Sequence, residues 1–352
     1  MSFDTGKISI SVAGESHARA LTIIIEGIPS GEMIDIEKIK EFMQRRAPGK
    51  NKYSTQRTES DEPEILSGIK NGYTTGAPIA AIIRNNDTRS RDYGEKLDLP
   101  RPGHADYPAS VKFGEYFDFC GGGQFSGRIT AAVCFAGGIC KQILEKRDVF
   151  INSHVLSVHG VCDKEYSEHG IEDVSHKEFP VIDDSAGDKM KEEIENARLM
   201  GNSVGGAVEC AVSGMPAGIG DSLFGGIDGE FAKAVFGIPG VKGVEFGAGF
   251  KACNMYGSEN NDEYIIKDGA IATDGNNHGG ILGGMTSGMP IILRAAFKPT
   301  PSIAISQNTV SLSKMMPEVL NIKGRHDPCI AVRASVCVEA VCALVALGNL
   351  LQ

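Results

Sequence analysis

The chain opens on a period of two. Ile8, Ser9, Ile10, Ser11 and Val12 alternate apolar with polar, and a denser apolar run follows at 21–26. Both predict strands. Over 35–47 the spacing becomes helical, with Asp35 placed to cap the first turn and Pro48-Gly49 to stop the helix. A strand is predicted near 78–84, leading into a long polar loop at 85–107. A short helix is predicted after Pro108 and a long one from about 127 to 147. Strand patterns return at 149–161 and 205–213. Between them, roughly 187–200 reads as a charged amphipathic helix with one face in solvent. A helix near 229–237, strands near 264–272 and 290–297 and an apolar helix at 331–350 complete the pattern.

This succession predicts an α/β chain of the layered α+β kind, because strands and helices do not alternate as a doubly wound sheet requires. No Pro/Ser-rich linker interrupts it, so a single domain over 1–352 is expected. The segments 205–216 and 279–290 both end in Ser-Gly-Met-Pro, which fits either a duplicated unit or chance in a chain with 44 glycines.

Composition narrows the class. The net charge of -10 gives nucleic acid or an acidic membrane surface little to bind, and neither partner is expected. Nine cysteines without a C-x-x-C pair or a secretory signal point to reduced thiols in the cytoplasm. Cys134, Cys140, Cys337 and Cys342 sit in apolar helical contexts and read as small core residues. The last helix carries Glu339 in its middle and reads as buried within the protein. Histidines do not cluster with cysteines or carboxylates at ligand spacing, so no metal is expected.

Against the acidic background, basic residues gather in a few stiff loops. Residues 44–57, QRRAPGKNKYSTQR, place Arg45, Arg46, Lys50, Lys52 and Arg57 within thirteen positions with no acid among them. A solvated turn and an anion site both fit; guanidinium forks match phosphate and carboxylate. In 85–110, Arg89, Arg91 and Arg101 lie near His104 in a proline-stiffened loop too long to be a plain connector. CGGGQFSGRIT, 120–130, puts a glycine run before a long helix. It fits an ordinary turn or an anion cradle of backbone N–H groups at a helix start. Short stiffened stretches at 276–288, 295–304 and 324–329 each hold a charge. Together these loops could converge on a multiply anionic small molecule, with histidines and an aspartate to move protons.

In combination the motifs become specific. GESHARALTIIIEGIP at 14–29, GQFSGRITAAVCFAGGI at 123–139 and RHDPCIAVRASVCVEA at 325–340, with RRAPG, STQR, DTRSRDY, RPGHADY, NNHGGILGGMTSG and KPTPSI in order between them, closely resemble the chorismate synthase family over almost the whole chain. The resemblance implies helices sandwiched between β-sheets, usually in a homotetramer. It implies an anti-1,4 elimination of phosphate from 5-enolpyruvylshikimate 3-phosphate, giving chorismate, the last common step towards the aromatic amino acids. Reduced FMN is needed with no net redox change. Members of the family either reduce the flavin themselves with NADPH or depend on a separate reductase; this chain has no dinucleotide fingerprint, so NADPH is expected only as an indirect reductant, through a separate flavin reductase.

Site residues follow from the same resemblance. His17 would protonate the leaving phosphate. His104 would lie at the N1/C2 edge of the flavin, and Asp327 would take the proton from its N5. Arg45, Arg46, Lys52, Arg101 and Arg325 would bind substrate phosphate and carboxylates. Ser126, Gly127 and Arg128 would line the site between flavin and substrate. Pro239, Gly240, Gly283, Lys298, Pro299, Thr300, Pro301, Ser302 and Arg325 would hold FMN. The chain departs from the family pattern at Ala18, Arg19, Ala47 and Lys52. Lys52 stands where an arginine is common, keeping the charge without the bidentate fork.

Overall fold

The computed structural model describes residues 1–49, 59–86, 97–322 and 327–352. Five strands build a first sheet: Ser2–Thr5 (β1), Ile8–Ala13 (β2), Ala20–Glu26 (β3), Pro63–Ser67 (β4) and Ile79–Arg84 (β5). Their order is β1-β2-β3-β5-β4, every pair antiparallel. The period of two does the work here. Ile10 and Val12, Ile23 and Ile25, and Ile79 and Ala81 meet across the strands on one buried face. A second antiparallel sheet contains Phe150–Val158 (β6), Val161–Cys162 (β7), Gly206–Ser213 (β8), Val241–Phe246 (β9) and Ile291–Phe297 (β10), in the order β9-β10-β8-β6-β7.

The longer helices are Ile36–Arg46 (α1), Asp106–Phe113 (α2), Thr130–Glu145 (α3), Asp184–Leu199 (α4), Ile227–Phe236 (α5) and Ala331–Leu350 (α6). Asp35 caps α1 as expected, accepting from the backbone of Glu37 and Lys38. Helix α6 packs on β6 and β8 of one sheet and on β1 and β2 of the other, and α3 packs beside it on β3 and β6. The helices are therefore sandwiched between the sheets. Fully burying a Val or Leu side chain contributes roughly 1.5–3 kcal/mol, and α6 buries Val338, Leu344, Val345 and Leu347 completely. Its axis can approach α3 because Gly137 has no side chain: a Cβ there would lie 2.3 Å from Ala340 Cα.

Helix α6 is long and apolar enough to cross a membrane, yet it is enclosed by protein. Its one acid, Glu339, has no exposed surface. Arg45 grips it with a two-pronged fork at 3.0 and 2.6 Å, Lys141 donates at 2.8 Å and Ser153 at 2.8 Å. Burial would raise this carboxyl, but Arg45 and Lys141 outweigh burial and hold it at about 2.

Three expectations change. The strand near 264–272 is a hairpin, Tyr264–Lys267 with Ala270–Thr273, because Asp268 and Gly269 both take positive φ and turn the chain. Helix α2 begins before Pro108, which sits in the first turn where no backbone N–H is needed. The two Ser-Gly-Met-Pro segments do not share a structure: the first follows the central strand β8, the second follows a short hairpin, Ile281–Leu282 with Met285–Thr286.

One row of charges crosses the second sheet. His154, Glu209, Arg294 and Glu245 stand side by side on β6, β8, β10 and β9. His154 is fully buried, 3.0 Å from Asp163 through Nδ1 and 3.0 Å from Glu209 through Nε2. Burial works against its charge, but the two carboxylates prevail and raise its pKa. A raised folded pKa gives stability that is complete below the unfolded value of about 6.5 and lost as pH rises through the folded one. His154→Ala is expected to lower stability by about 3–5 kcal/mol at pH 6. The gap to wild type should narrow by pH 9. Urea midpoints at the two pH values check this; a gap that is constant or grows with pH would contradict it.

Candidate active site

Glycines 121–123 make a left-handed turn that a side chain would strain and crowd. Their φ values are +61°, +99° and +53°. A Cβ on Gly121 would lie 2.7 Å from the His17 ring and 2.7 Å from Ser16 Oγ. A Cβ on Gly122 would lie 3.2 Å from His104 Nε2. Two histidines, 87 positions apart in sequence, thus face adjacent residues of one backbone turn. The loop carrying His17 joins β2 to β3, and Ser16 N–H donates to Gly123 O at 3.1 Å. Beside it, burial and then the Asp118 carboxylate raise the pKa of Glu15.

Behind the turn the chain continues to Ser126, whose hydroxyl accepts from Arg128 N–H at 3.2 Å and starts the short turn before α3. Arg128 and Arg46 are both buried and converge on Asp61. Arg46 Nε donates to Asp61 Oδ2 at 3.0 Å and Nη2 to the same oxygen; Arg128 Nη1 donates to Asp61 Oδ1. Burial would raise the Asp61 carboxyl, but Arg46 and Arg128 hold it below its usual range. Asn85 ties this pair to the His17 loop, accepting from Arg128 Nε at 2.7 Å and donating to Ala18 O at 2.7 Å. Arg46 also reaches Gly127 O at 3.5 Å.

Asp327 joins from the far end of the chain. Arg333 on α6 donates to its Oδ2 at 2.5 Å and to Arg46 O at 2.8 Å, so Asp327 is fixed to the C-terminal end of α1. On the other side, Lys298 donates its N–H to Gly240 O at 3.0 Å and its ammonium to Gly103 O, next to His104. Pro301 also lies against Gly103. Pro239-Gly240, Lys298–Ser302 and the His104 loop therefore form one flank.

Some expected residues hold partners of their own or lie on other elements. Arg45 is committed to Glu339 in the helical layer. Arg101 is committed to Asp106, donating at 2.7 Å from both Nε and Nη2. Gly283 sits in the turn of the 281–286 hairpin, before β10, whereas Lys298 follows β10. Lys52 and Arg325, with Arg57, Arg89 and Arg91, lie outside the described residues. Asp61, Asn85, Asp106 and Arg333 were not singled out from sequence. Asp106 and Arg333 had a signal, since they lie in the quoted RPGHADY and RHDPCIAVRASVCVEA.

A glycine turn between two histidines, with paired arginines behind it, is the arrangement of an enzyme site. The comparisons make this specific. The family model described as Chorismate synthase matches residues 8–351. Curated relatives called chorismate synthase are 45% identical over 346 residues in Thermococcus gammatolerans (98% of this chain, 96% of that one) and 46% identical over 347 residues in Pyrococcus abyssi (98% and 96%). A third, from Archaeoglobus fulgidus, is 45% identical over 339 residues (96% and 94%). A solved structure titled as the crystal structure of chorismate synthase superposes with a TM-score of 0.76 at 30% identity, covering 99% of this chain and 93% of that one. The chain belongs to the chorismate synthase family.

Proposed function

We propose that this chain is a lyase of aromatic amino-acid biosynthesis that eliminates phosphate from 5-enolpyruvylshikimate 3-phosphate to give chorismate, using reduced FMN without net redox change. The observation that carries the reading is the Gly121-Gly122 turn with His17 on one residue and His104 on the next. Reduced FMN, when bound, supplies electron density to the breaking C–O bond and recovers it as the C6 proton leaves.

The residues present fit such a cofactor. Among the described residues, the Thr300 hydroxyl is the buried side-chain polar atom without a hydrogen-bond partner. It sits in the Lys298–Ser302 strap. Burial, and then Lys242, lower the pKa of Lys298, so an anion here would relieve two like charges. Pro239, Gly240 and Lys298 to Ser302 would hold FMN against the His104 loop. Ser126, Gly127 and Arg128 would line the site beside both ligands, with Arg46 held on Asp61 behind them. His17 donates a proton to the leaving phosphate, and Asp327 carries one at its carboxylate, oriented by Arg333. Lys52 and Arg325 complete the anion site in this reading.

A reductase elsewhere in the cell, using NADPH, keeps the flavin reduced. A cytoplasmic setting agrees with nine free thiols. Assembly as a homotetramer of single-domain chains agrees with the bare apolar hairpin at 264–273, where Tyr264, Ile266 and Ile271 are more than two-thirds exposed.

An anaerobic assay with the enolpyruvyl substrate and dithionite-reduced FMN tests the whole reading. Phosphate and chorismate should appear in equal amounts with the flavin still reduced; folded, FMN-binding protein that releases no phosphate would overturn it. Gly121→Ala is expected to retain the fold and to slow phosphate release by about tenfold or more, because the new methyl must displace His17. The strained left-handed backbone should cost about 1–2 kcal/mol. Thermal unfolding and turnover, measured on the same preparation, check both halves.

A further inference from the structure

We propose that Asp106 is a positioning residue that fixes His104 as its Nδ1–H tautomer and so presents the Nε2 lone pair at the glycine turn. His104 Nδ1 lies 2.6 Å from Asp106 Oδ1 and 3.2 Å from Arg101 Nη2. A guanidinium can only donate and an ionised carboxylate can only accept, so one nitrogen cannot serve both. The surroundings decide between them.

Asp106 has no exposed surface and accepts from Arg101 N at 3.0 Å, Nε at 2.7 Å and Nη2 at 2.7 Å. It is also the first residue of α2, where the helix dipole favours negative charge. Burial would raise its carboxyl, yet the hydrogen bonds from Arg101 and His104 hold it well below the usual range. The carboxylate is therefore ionised and must receive a hydrogen from Nδ1. Arg101 Nη2 already spends a hydrogen on Oδ1 at the shorter distance. The remaining ring nitrogen, Nε2, is the atom that faces Gly122.

The loop that holds this pair is pinned from outside. Thr309 Oγ1 donates to Pro100 O at 2.6 Å, Ser311 Oγ to Asp98 Oδ2 at 2.9 Å, and Leu312 N–H to Asp98 O at 2.9 Å. Lys298 clamps Gly103 from the cofactor flank. The ring therefore has one orientation, and Asp106 gives it one tautomer. A neutral imidazole so held accepts a proton at Nε2, and the imidazolium formed is met by a carboxylate already in place. The consequence for turnover rests on the reading that His104 acts at the flavin edge; the tautomer does not.

The test is two-bond 1H–15N correlation on histidine-labelled protein with oxidised FMN, the His104 signals being those lost in His104→Asn. Wild type should show Nδ1–H. Asp106→Asn, whose amide can donate to Nδ1, should move His104 to Nε2–H. With reduced FMN and substrate, that variant should lose roughly 100-fold in kcat with KM changed less than about threefold. Arg101→Gln keeps the carboxylate–imidazole pair and should keep Nδ1–H. An Nε2–H signal in wild type, or an unchanged tautomer in folded Asp106→Asn, overturns the proposal. So does full turnover in Asp106→Asn where His104→Asn is slow. If Asp106→Asn does not fold, the wild-type and Arg101→Gln spectra decide. If His104→Asn turns over normally, the role given to His104 fails, and the spectra still decide that of Asp106.

Discussion

His17→Ala is expected to slow phosphate release by roughly 100- to 10,000-fold, the span of a general acid's contribution. FMN binding and the unfolding midpoint should stay close to wild type. The side chain is half-buried and lies outside the hydrophobic core. What fixes it is the backbone: Ser16 is 1% exposed and donates to Gly123 O, which sets the loop against the glycine turn. The ring then faces Gly121, whose lack of a side chain leaves room beside the ring that a methyl would fill. A leaving phosphate needs a proton or a cation there; the alanine variant supplies neither. His17→Gln keeps a hydrogen-bond donor without a transferable proton and should be comparably slow. Phosphate release under saturating reduced FMN decides the matter. Near wild-type release by the alanine variant would remove His17 from the chemistry, and rapid release by the glutamine variant alone would make it a hydrogen-bond donor instead of an acid.

Asp61→Ala is expected to lower stability by about 3–5 kcal/mol, the cost of leaving buried charges without their partner. Arg46 and Arg128 are 2% and 5% exposed and share this one carboxylate. Without it two guanidiniums face each other in the interior, and among the described residues Glu59 is the next acid, 4.0 Å from Arg128. The pH dependence has a sign. A depressed folded pKa gives stability that is present above the unfolded value of about 3.9 and lost as pH falls through the folded one. The penalty should therefore be full at pH 7 and shrink in strong acid. Urea unfolding at pH 7 measures it, and a loss under about 1 kcal/mol would show that the arginines find water or other acids. Inorganic phosphate should recover part of the loss in Asp61→Ala and add little to wild type, because an oxyanion can take the vacated place between two guanidiniums.

Asp35, at the start of α1, and the alternation through Ile10, Ile23 and Ile79 show what was legible in the linear pattern. Caps and periods act over one turn or one strand, so their residues are neighbours in sequence. The family motifs are equally local: GESHA, CGGGQFSGR and RPGHADY each lie within one loop, and the structure draws those loops together around residues 121 and 122. The hairpin at 264–273 was misread because an apolar run carries no sign of where it folds back; Asp268-Gly269 was the only local hint.

Partnerships between charges were not legible. Arg45 and Arg46 are adjacent in sequence and looked equivalent. On a helix, neighbours point about 100° apart around the axis, so Arg45 reaches Glu339 on α6 and Arg46 reaches Asp61 beside Arg128. The same holds for Arg101, whose partner Asp106 lies five residues on, and for Arg333, which was never singled out because it reads as one polar position in an apolar helix. The sequence by itself determined most of the longer elements, the family and which loops carry charge, since those depend on residue type and short-range spacing. Only the tertiary structure decided which charges neutralise one another and which are left to face a ligand. Pairing in a buried site depends on distance and direction between segments far apart along the chain, and a few ångströms there outweigh any local preference.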